Sequence, residues 1–277
     1  MRFAIVTIDR YLGIFQPFVD AGWEPIKLFT GPFKDEFGDQ RQAIALAESQ
    51  GMDIQLSRIT DADLINLRDQ GCETLIVAGY SSKIPETRGI LPYAINFHPS
   101  PLPVGRGPYP MPRAILEGRD QWAVACHKLT DQFDQGDILD VDHFPLAMDE
   151  CHESLDLKIQ IAAQRIAKRI AKNFKSLWDY AVPQGAGSYW QRATESERII
   201  NFNLPVQSVL RHIRAYGNSE SLAKFGDGVL IVKRAVGWRE VHTVTPGTIV
   251  YFNQRKVVIS TQDGFVGLLD VTPLSLS

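Results

Sequence analysis

The sequence predicts an α/β fold: a mostly parallel sheet flanked by helices, followed by a smaller C-terminal β-barrel. Two observations carry this expectation. In the first half, short apolar runs rich in β-branched residues recur at 2–8, 25–29, 73–78 and 94–98, with stretches of helical apolar spacing between them. That alternation is what crossover connections between parallel strands require. In the last third, five short strand patterns follow one another with turn residues between them, and an OB-like barrel closes five strands economically.

Taken in order, helices are expected at 13–21, 41–50 and 62–70. Thr60 or Asp61 can cap the last of these, and Gly71 stands where a helix favours a C-terminal glycine. The layout is Rossmann-like, but the first strand runs into Asp9-Arg10-Tyr11-Leu12-Gly13 and lacks the glycine fingerprint of dinucleotide binding. A proline-rich loop at 99–112 leads to a helix ending at Glu117, then to strands at 122–129 and 138–144. From 153 to 180 the residues Leu155, Ile159, Ala162, Ile166, Ile170, Phe174 and Leu177 keep helical spacing with Lys and Arg between them, which reads as an amphipathic helix with a solvated basic face. The Pro- and Gly-containing segment 182–188 breaks the pattern. It divides the chain into an N-terminal domain at 1–181, a linker at 182–194 and an OB-like domain at 195–277. Within the last, a helix is expected at 206–216 and strands at 223–225, 229–235, 248–252, 256–260 and 265–271. Hairpin turns fall at Asn253-Gln254 and Asp263-Gly264.

Bulk composition excludes several classes. With 277 residues, 44% hydrophobic, 22% charged and a net charge of −3, the chain has the profile of an ordinary globular protein, not of a polybasic nucleic-acid binder. Cys72, Cys126 and Cys151 are odd in number and lack the close spacing of a zinc site or redox pair. No apolar stretch approaches the roughly 20 residues that span a bilayer, and no secretory leader is evident. A cytoplasmic protein with reduced thiols and no bound metal is expected.

The chemistry concentrates in two segments. Asn96 and His98 stand two apart at the end of a predicted strand, so both side chains share one face. In open α/β sheets the crevice beyond the carboxyl ends of the strands is the usual ligand site. Before a helix opens near Pro110, the following loop holds four prolines and Gly105-Arg106-Gly107, which makes it stiff. A carboxylate would complete the group, with Asp131, Asp134 and Asp137 as candidates in the turn between the two later strands. An amide, an imidazole and a carboxylate together can run acyl transfer, stabilising an oxyanion and moving a proton. Singly, a strand-end histidine is more often structural, and a turn aspartate usually bonds its own backbone. His127 and His143 are read as strand-surface residues without metal-ligand spacing.

Together, Asn96-Phe97-His98-Pro99-Ser100-Pro101-Leu102-Pro103-Val104-Gly105-Arg106-Gly107 and Thr130-Asp131-Gln132-Phe133-Asp134-Gln135-Gly136-Asp137-Ile138 resemble the signature of the N10-formyltetrahydrofolate-dependent formyltransferases. Members of that family act on methionyl-tRNA, glycinamide ribonucleotide and amino sugar nucleotides. The resemblance implies Asn96, His98 and Asp134 as the catalytic three and N10-formyltetrahydrofolate as co-substrate. It also implies a folate pocket built from Ala78, Gly79, Tyr80, Ile84, Leu102, Thr130 and Asp131. It extends past the linker, where Ile200-Asn201-Phe202, Ile213-Arg214-Ala215 and Pro246-Gly247-Thr248 resemble the C-terminal domain that several members carry. Two departures stand out. Pro101 replaces the usual first leucine of a Leu-Leu-Pro step, and the stretch 30–39 offers one Lys against three acids where a tRNA enzyme would present basic residues. A small-molecule amine, with amino sugar nucleotides as the leading class, is therefore the expected acceptor. Methionyl-tRNA is less favoured. Rival readings are a formyl-folate hydrolase and a binding module that keeps the fold without the activity.

Overall fold

The computed structural model describes residues 1–31, 40–80, 82–226, 228–253 and 256–273, apart from the side chains of Asn218 and Ser219. Most of the acid-rich stretch 30–39 and the second residue of the Asn253-Gln254 turn lie outside the described residues.

The chain divides into two compact units. The first comprises Met1–Pro110, Gln121–Phe144 and Leu157–Trp190, and the second comprises Met111–Asp120, Pro145–Asp156 and Gln191–Ser277. Along the chain come β1 (Arg2–Val6), α1 (Phe15–Asp20), β2 (Glu24–Phe29), α2 (Arg41–Ser49), β3 (Asp53–Gln55), α3 (Asp61–Asp69), β4 (Thr74–Ala78), β5 (Tyr93–His98), α4 (Pro110–Leu116), β6 (Gln121–Lys128), β7 (Ile138–Pro145) and α5 (His152–Asp179). Then follow α6 (Glu195–Arg198), α7 (Val206–Glu220), β8 (Leu222–Phe225), β9 (Gly228–Arg239), β10 (Ile249–Phe252), β11 (Val257–Ser260) and β12 (Gly264–Pro273).

In the first unit seven strands form one sheet in the order β3-β2-β1-β4-β5-β6-β7. The pairs β1–β2, β1–β4, β2–β3 and β4–β5 are parallel, and β5–β6 is antiparallel. Strand alternation gives the sheet two apolar faces. Phe3 packs with Phe15, Phe18 and Trp23 on one side, while Ala4 and Val6 join Leu64, Leu67, Leu75 and Val77 on the other. Thr60 caps α3 through a capping box with Asp63, and Gly71 takes a φ of 75° beyond its end, as the sequence leads one to expect.

Three local expectations change. The predicted helix at 13–21 is a 3₁₀ turn at Asp9–Ile14 followed by the short α1, whose Pro17 sits in the first turn where a missing N–H costs no bond. β3 is too short and too polar to announce itself by periodicity. The basic face of α5 is not simply solvated. Arg165 grips Asp142 on β7 with two hydrogen bonds of 3.0 Å, and Arg169 reaches Asp140 at 2.6 Å and Asp142 at 3.2 Å.

In the second unit an antiparallel sheet runs β10-β11-β12-β9-β8 and curls into a half-barrel with β10 and β8 at its edges. Val257 and Ile259 of β11 and Val266 and Leu268 of β12 point inward against Val206, Val209 and Ile213 of α7. The helix comes so close to β9 that a side chain at Gly237 would meet Val206 at 2.7 Å. Asp263, at the tip of the predicted Asp263-Gly264 turn, accepts the Val206 N–H at 2.7 Å and supplies the cap that Pro205 cannot.

The Asp142 ion pairs generate a stability test. Burial raises the Asp142 pKa, but the two guanidinium groups outweigh it and hold the carboxyl below its ordinary value. Its stabilisation is therefore fully present above about pH 4 and lost on acidification. Because both arginines are nearly half exposed, Asp142→Ala should cost about 1–2 kcal/mol at pH 7. Urea denaturation of both proteins at pH 7 and pH 3 should show that difference shrinking at the lower pH.

Candidate active site

Everything in the candidate site belongs to the first unit. The parallel pair β4–β5 ends at Ala78 and His98, and β6 returns antiparallel beside β5 with Asn96 opposite His127 and His98 opposite Ala125. Phe97, between the two polar residues, turns to the other face and packs edge-on against Phe18 at 6.4 Å. Anchoring Phe97 in the core fixes which way Asn96 and His98 point.

The structure brings Asn96, His98 and Asp134 together. His98 is buried; its Nε2 lies 2.9 Å from the Gly105 carbonyl and its Nδ1 3.4 Å from Asp134 Oδ1. Asn96 Nδ2 lies 3.1 Å from His127 Nε2 and 3.4 Å from Asp134 Oδ1. Asp134 Oδ2 accepts the Gly107 N–H at 2.9 Å. Tautomers follow from these partners. Nε2 of His98 must carry a proton to bond Gly105 O, which leaves Nδ1 of the neutral ring as a bare acceptor facing the carboxylate. Likewise, His127 Nδ1 donates to Lys128 O at 2.8 Å, so its Nε2 accepts from Asn96. One Asn96 N–H is thus committed, and among the described residues the other has only the long contact to Asp134.

His127 is the residue that the sequence reading missed. It is almost fully buried, and its Nε2 also stands 3.6 Å from Asp134 Oδ1. Strand alternation alone does not find it; the antiparallel register opposite Asn96 does.

Asp134 is the one described non-glycine residue with positive φ, at 57°. Aspartate tolerates that left-handed conformation better than most residues, at some cost. Gly136 in the same turn admits no side chain, since a Cβ there would fall 1.9 Å from Lys128 O. Burial raises the Asp134 pKa, but the His98 and His127 rings when protonated, together with the Gly107 N–H, overcome it and bring the value down to about 2. For His98 burial wins over the pull of Asp134 and Gly105, and its pKa falls below 6.5. At neutral pH the pair is an ionised carboxylate beside a neutral imidazole.

The segment 182–190, placed in the linker by composition, packs against this centre. Val182 exchanges backbone hydrogen bonds with Ile138, Ser188 Oγ accepts the Gly105 N–H at 2.9 Å, and Trp190 stacks on Trp122 with an interplanar angle of 10°. The other sequence-predicted positions are distributed more widely. Ala78 ends β4, and Gly79 (φ 75°) lies so near Tyr11 that a Cβ would meet its ring at 2.7 Å. Tyr80 and Ile84 pack with Leu129 on one apolar cluster, and Leu102 is buried in the proline loop. Thr130 bonds the Gln132 carbonyl, while Asp131 is exposed, 3.9 Å from Arg88, and does not converge with the three central residues.

The pattern of residues is matched elsewhere. Residues 39–170 match the family model described as formyl transferase, and residues 192–275 match that of its C-terminal domain. A methionyl-tRNA formyltransferase from Herpetosiphon aurantiacus is 30% identical over 220 residues, covering 76% of this chain and 71% of that protein. The chain belongs to the formyl transferase family. A second methionyl-tRNA formyltransferase of the family, from Pseudothermotoga lettingae, is 28% identical over 194 residues. That match takes in 69% of this chain and 64% of the Pseudothermotoga one, so the chain spans about two thirds of the length of these relatives. Among solved structures, an N-formyltransferase from Helicobacter canadensis in complex with folinic acid and dTDP-3-aminofucose shares the fold, with a TM-score of 0.70 at 15% identity over 98% of this chain and 99% of that one.

The ionisation of Asp134 can be checked through stability. With a folded pKa of about 2 against an ordinary 3.8, Asp134 holds its proton less tightly in the folded chain than in the unfolded one, so its contribution to stability grows as pH rises from about 2 to about 4 and is lost as pH falls through about 2. Asp134→Asn should therefore show a smaller rise in melting temperature than the parent protein in thermal scans between pH 2 and pH 4, and equal slopes would count against an ionised Asp134.

Proposed function

We propose that this protein transfers the formyl group of N10-formyltetrahydrofolate to an amine, with Asn96, His98 and Asp134 as the reacting centre. The observation that carries the reading is the meeting of an amide N–H, a bare imidazole nitrogen and an ionised carboxylate at the carboxyl end of β5. The donor set fits a formamide. Its oxygen needs a hydrogen-bond donor as charge develops on it, and the incoming amine needs a base. The folate supplies the activated formyl group. Tyr80, Ile84 and Leu129 offer an apolar surface against which its ring system can lie.

Each residue then has a distinct task. Asn96 turns its less committed N–H to the formyl oxygen, while His127 holds the amide by its other hydrogen. As the amine nitrogen bonds to the formyl carbon, its surplus proton passes to Nδ1 of His98. The imidazolium so formed lies against Asp134, which stabilises it and keeps the proton available for the nitrogen that leaves. Gly105 O and Gly107 N–H fix the two partners from the backbone.

For the acceptor, the favoured reading is a small-molecule amine, with an amino sugar nucleotide as the leading class. The single Lys against three acids at 30–39 and the overall charge of −3 support it, since tRNA phosphates demand Lys and Arg. The second reading, methionyl-tRNA, draws support from the names of the curated relatives.

Formyl transfer is tested by following tetrahydrofolate release from formyl-folate with a panel of amino sugar nucleotides and with charged initiator tRNA. Product with a sugar nucleotide supports the favoured acceptor, product only with tRNA replaces it by the second, and formate without any acceptor points to hydrolysis. His98→Ala and Asp134→Ala should each lower turnover by about 10²–10⁴-fold while retaining folate binding. Near-parental turnover in either variant would overturn the assignment. Because His98 must be neutral to take the proton, turnover should rise with pH through an apparent pKa below 6.5 and then level off.

A further inference from the structure

We propose that Gln184 is a positioning residue for the Asp134–His98 pair, tying the turn that carries Asp134 to the loop that carries Arg106 through a single side-chain amide. The inference rests on the proposed centre and goes beyond it, because Gln184 lies in a segment that the sequence marks only as a linker.

Both hydrogens of Gln184 Nε2 are spent on the catalytic turn, one on Asp134 O at 2.9 Å and one on Gly136 O at 2.7 Å. Across the same plane, Oε1 accepts Arg106 Nε–H at 3.0 Å, and Arg106 Nη2 donates to Gly185 O at 2.9 Å. Only an amide offers two donors on one nitrogen together with an acceptor. Glutamate would set an oxygen against two carbonyls, and lysine has nothing to accept from Arg106.

The residues tied this way are those whose backbone orients the centre. Arg106 stands between Gly105, whose carbonyl takes the His98 Nε2–H, and Gly107, whose N–H meets Asp134 Oδ2. Asp134 itself holds a left-handed φ of 57°, so the turn needs outside contacts to stay there. Its Oδ1 is already 3.4 Å from His98 Nδ1, a separation at which a small displacement ends the contact. Gln184 is well anchored for the task. The backbone bonds of Val182 to Ile138 precede it, and those of Ser188 and Trp190 to Pro103 and Arg106 follow it.

The test uses the full chain with Gln184→Met, which keeps the length of the side chain and removes its polar atoms, and Gln184→Asn, which keeps the amide but withdraws its reach. Two readouts are compared: turnover with the best acceptor, and the titration of the His98 imidazole by NMR, which requires no acceptor. The charged group facing His98 is Asp134, with the His127 ring 6.5 Å away. Loss of the carboxylate contact should therefore move the His98 titration to lower pH in both variants. Turnover should fall about tenfold or more, with the KM for formyl-folate changed less than about threefold. Lost turnover with an unmoved His98 titration would show a merely structural role and overturn the proposal, as would unfolding of both variants or no change in either readout. A shifted titration with parental turnover would uphold the tie and count instead against the catalytic reading of His98 and Asp134.

Discussion

A mostly buried, ionised carboxylate organises this protein's candidate site. Asp134 is largely withdrawn from water, and an ionised group there is tolerated only when hydrogen bonds and opposite charge replace its hydration. Its hydrogen-bond donors come from different parts of the chain, Asn96 from β5 and Gly107 from the proline loop, and the rings of His98 on β5 and His127 on β6 stand close enough to join them once protonated. The demand of one side chain for satisfaction thus fixes the relative placement of three segments. The turn must be left-handed at Asp134 and bare at Gly136 for the carboxylate to reach them.

The sheet makes that convergence cheap. Parallel strands β1, β4 and β5 run the same way, and β6 returns antiparallel beside β5 to end with Lys128 opposite Ile95, so the turn that follows needs only to bend back over the face that carries Asn96 and His98. Aromatic packing on one face and the aliphatic cluster on the other leave the strands little freedom to slip. A slip of one residue would exchange Phe97 with Asn96 and His98 between core and crevice.

Much of this was legible in the sequence, and the limits have physical causes. The strand–helix alternation, the Thr60 cap, the Gly71 terminus and the Asn96–His98 face are local, set by periods of 2 and 3.6 and by capping chemistry. The motif pair brought in Asp134, which no local rule selects over Asp131 or Asp137. His127 was not legible as a site residue, because its place opposite Asn96 depends on antiparallel pairing between strands 31 positions apart. Gln184 was hidden for a different reason. Pro and Gly around it signal a break in regular structure, and composition cannot distinguish a free linker from a segment pinned by side-chain and backbone bonds. The basic face of α5 likewise read as solvated surface until β7 supplied Asp140 and Asp142.

The resting electrostatics of the pair also explain why so many rigid contacts surround it. With Nε2 of His98 committed to Gly105 O, the lone pair on Nδ1 faces an ionised oxygen at 3.4 Å, an arrangement that only a proton makes attractive. Left free, either side chain would rotate away. Here the Gly105 carbonyl, the Gly107 N–H and the strained backbone of Asp134 keep them facing each other in advance of that proton. In the proposed reaction the proton comes from the attacking amine, so the contact strengthens as the transition state forms and is weak before it. An interaction of that kind accelerates the chemical step and adds little to ground-state binding. It also depends only on the formyl group and the amine nitrogen, which every primary amine acceptor shares. Selection among acceptors must then come from contacts to the rest of the acceptor, outside Asn96, His98 and Asp134.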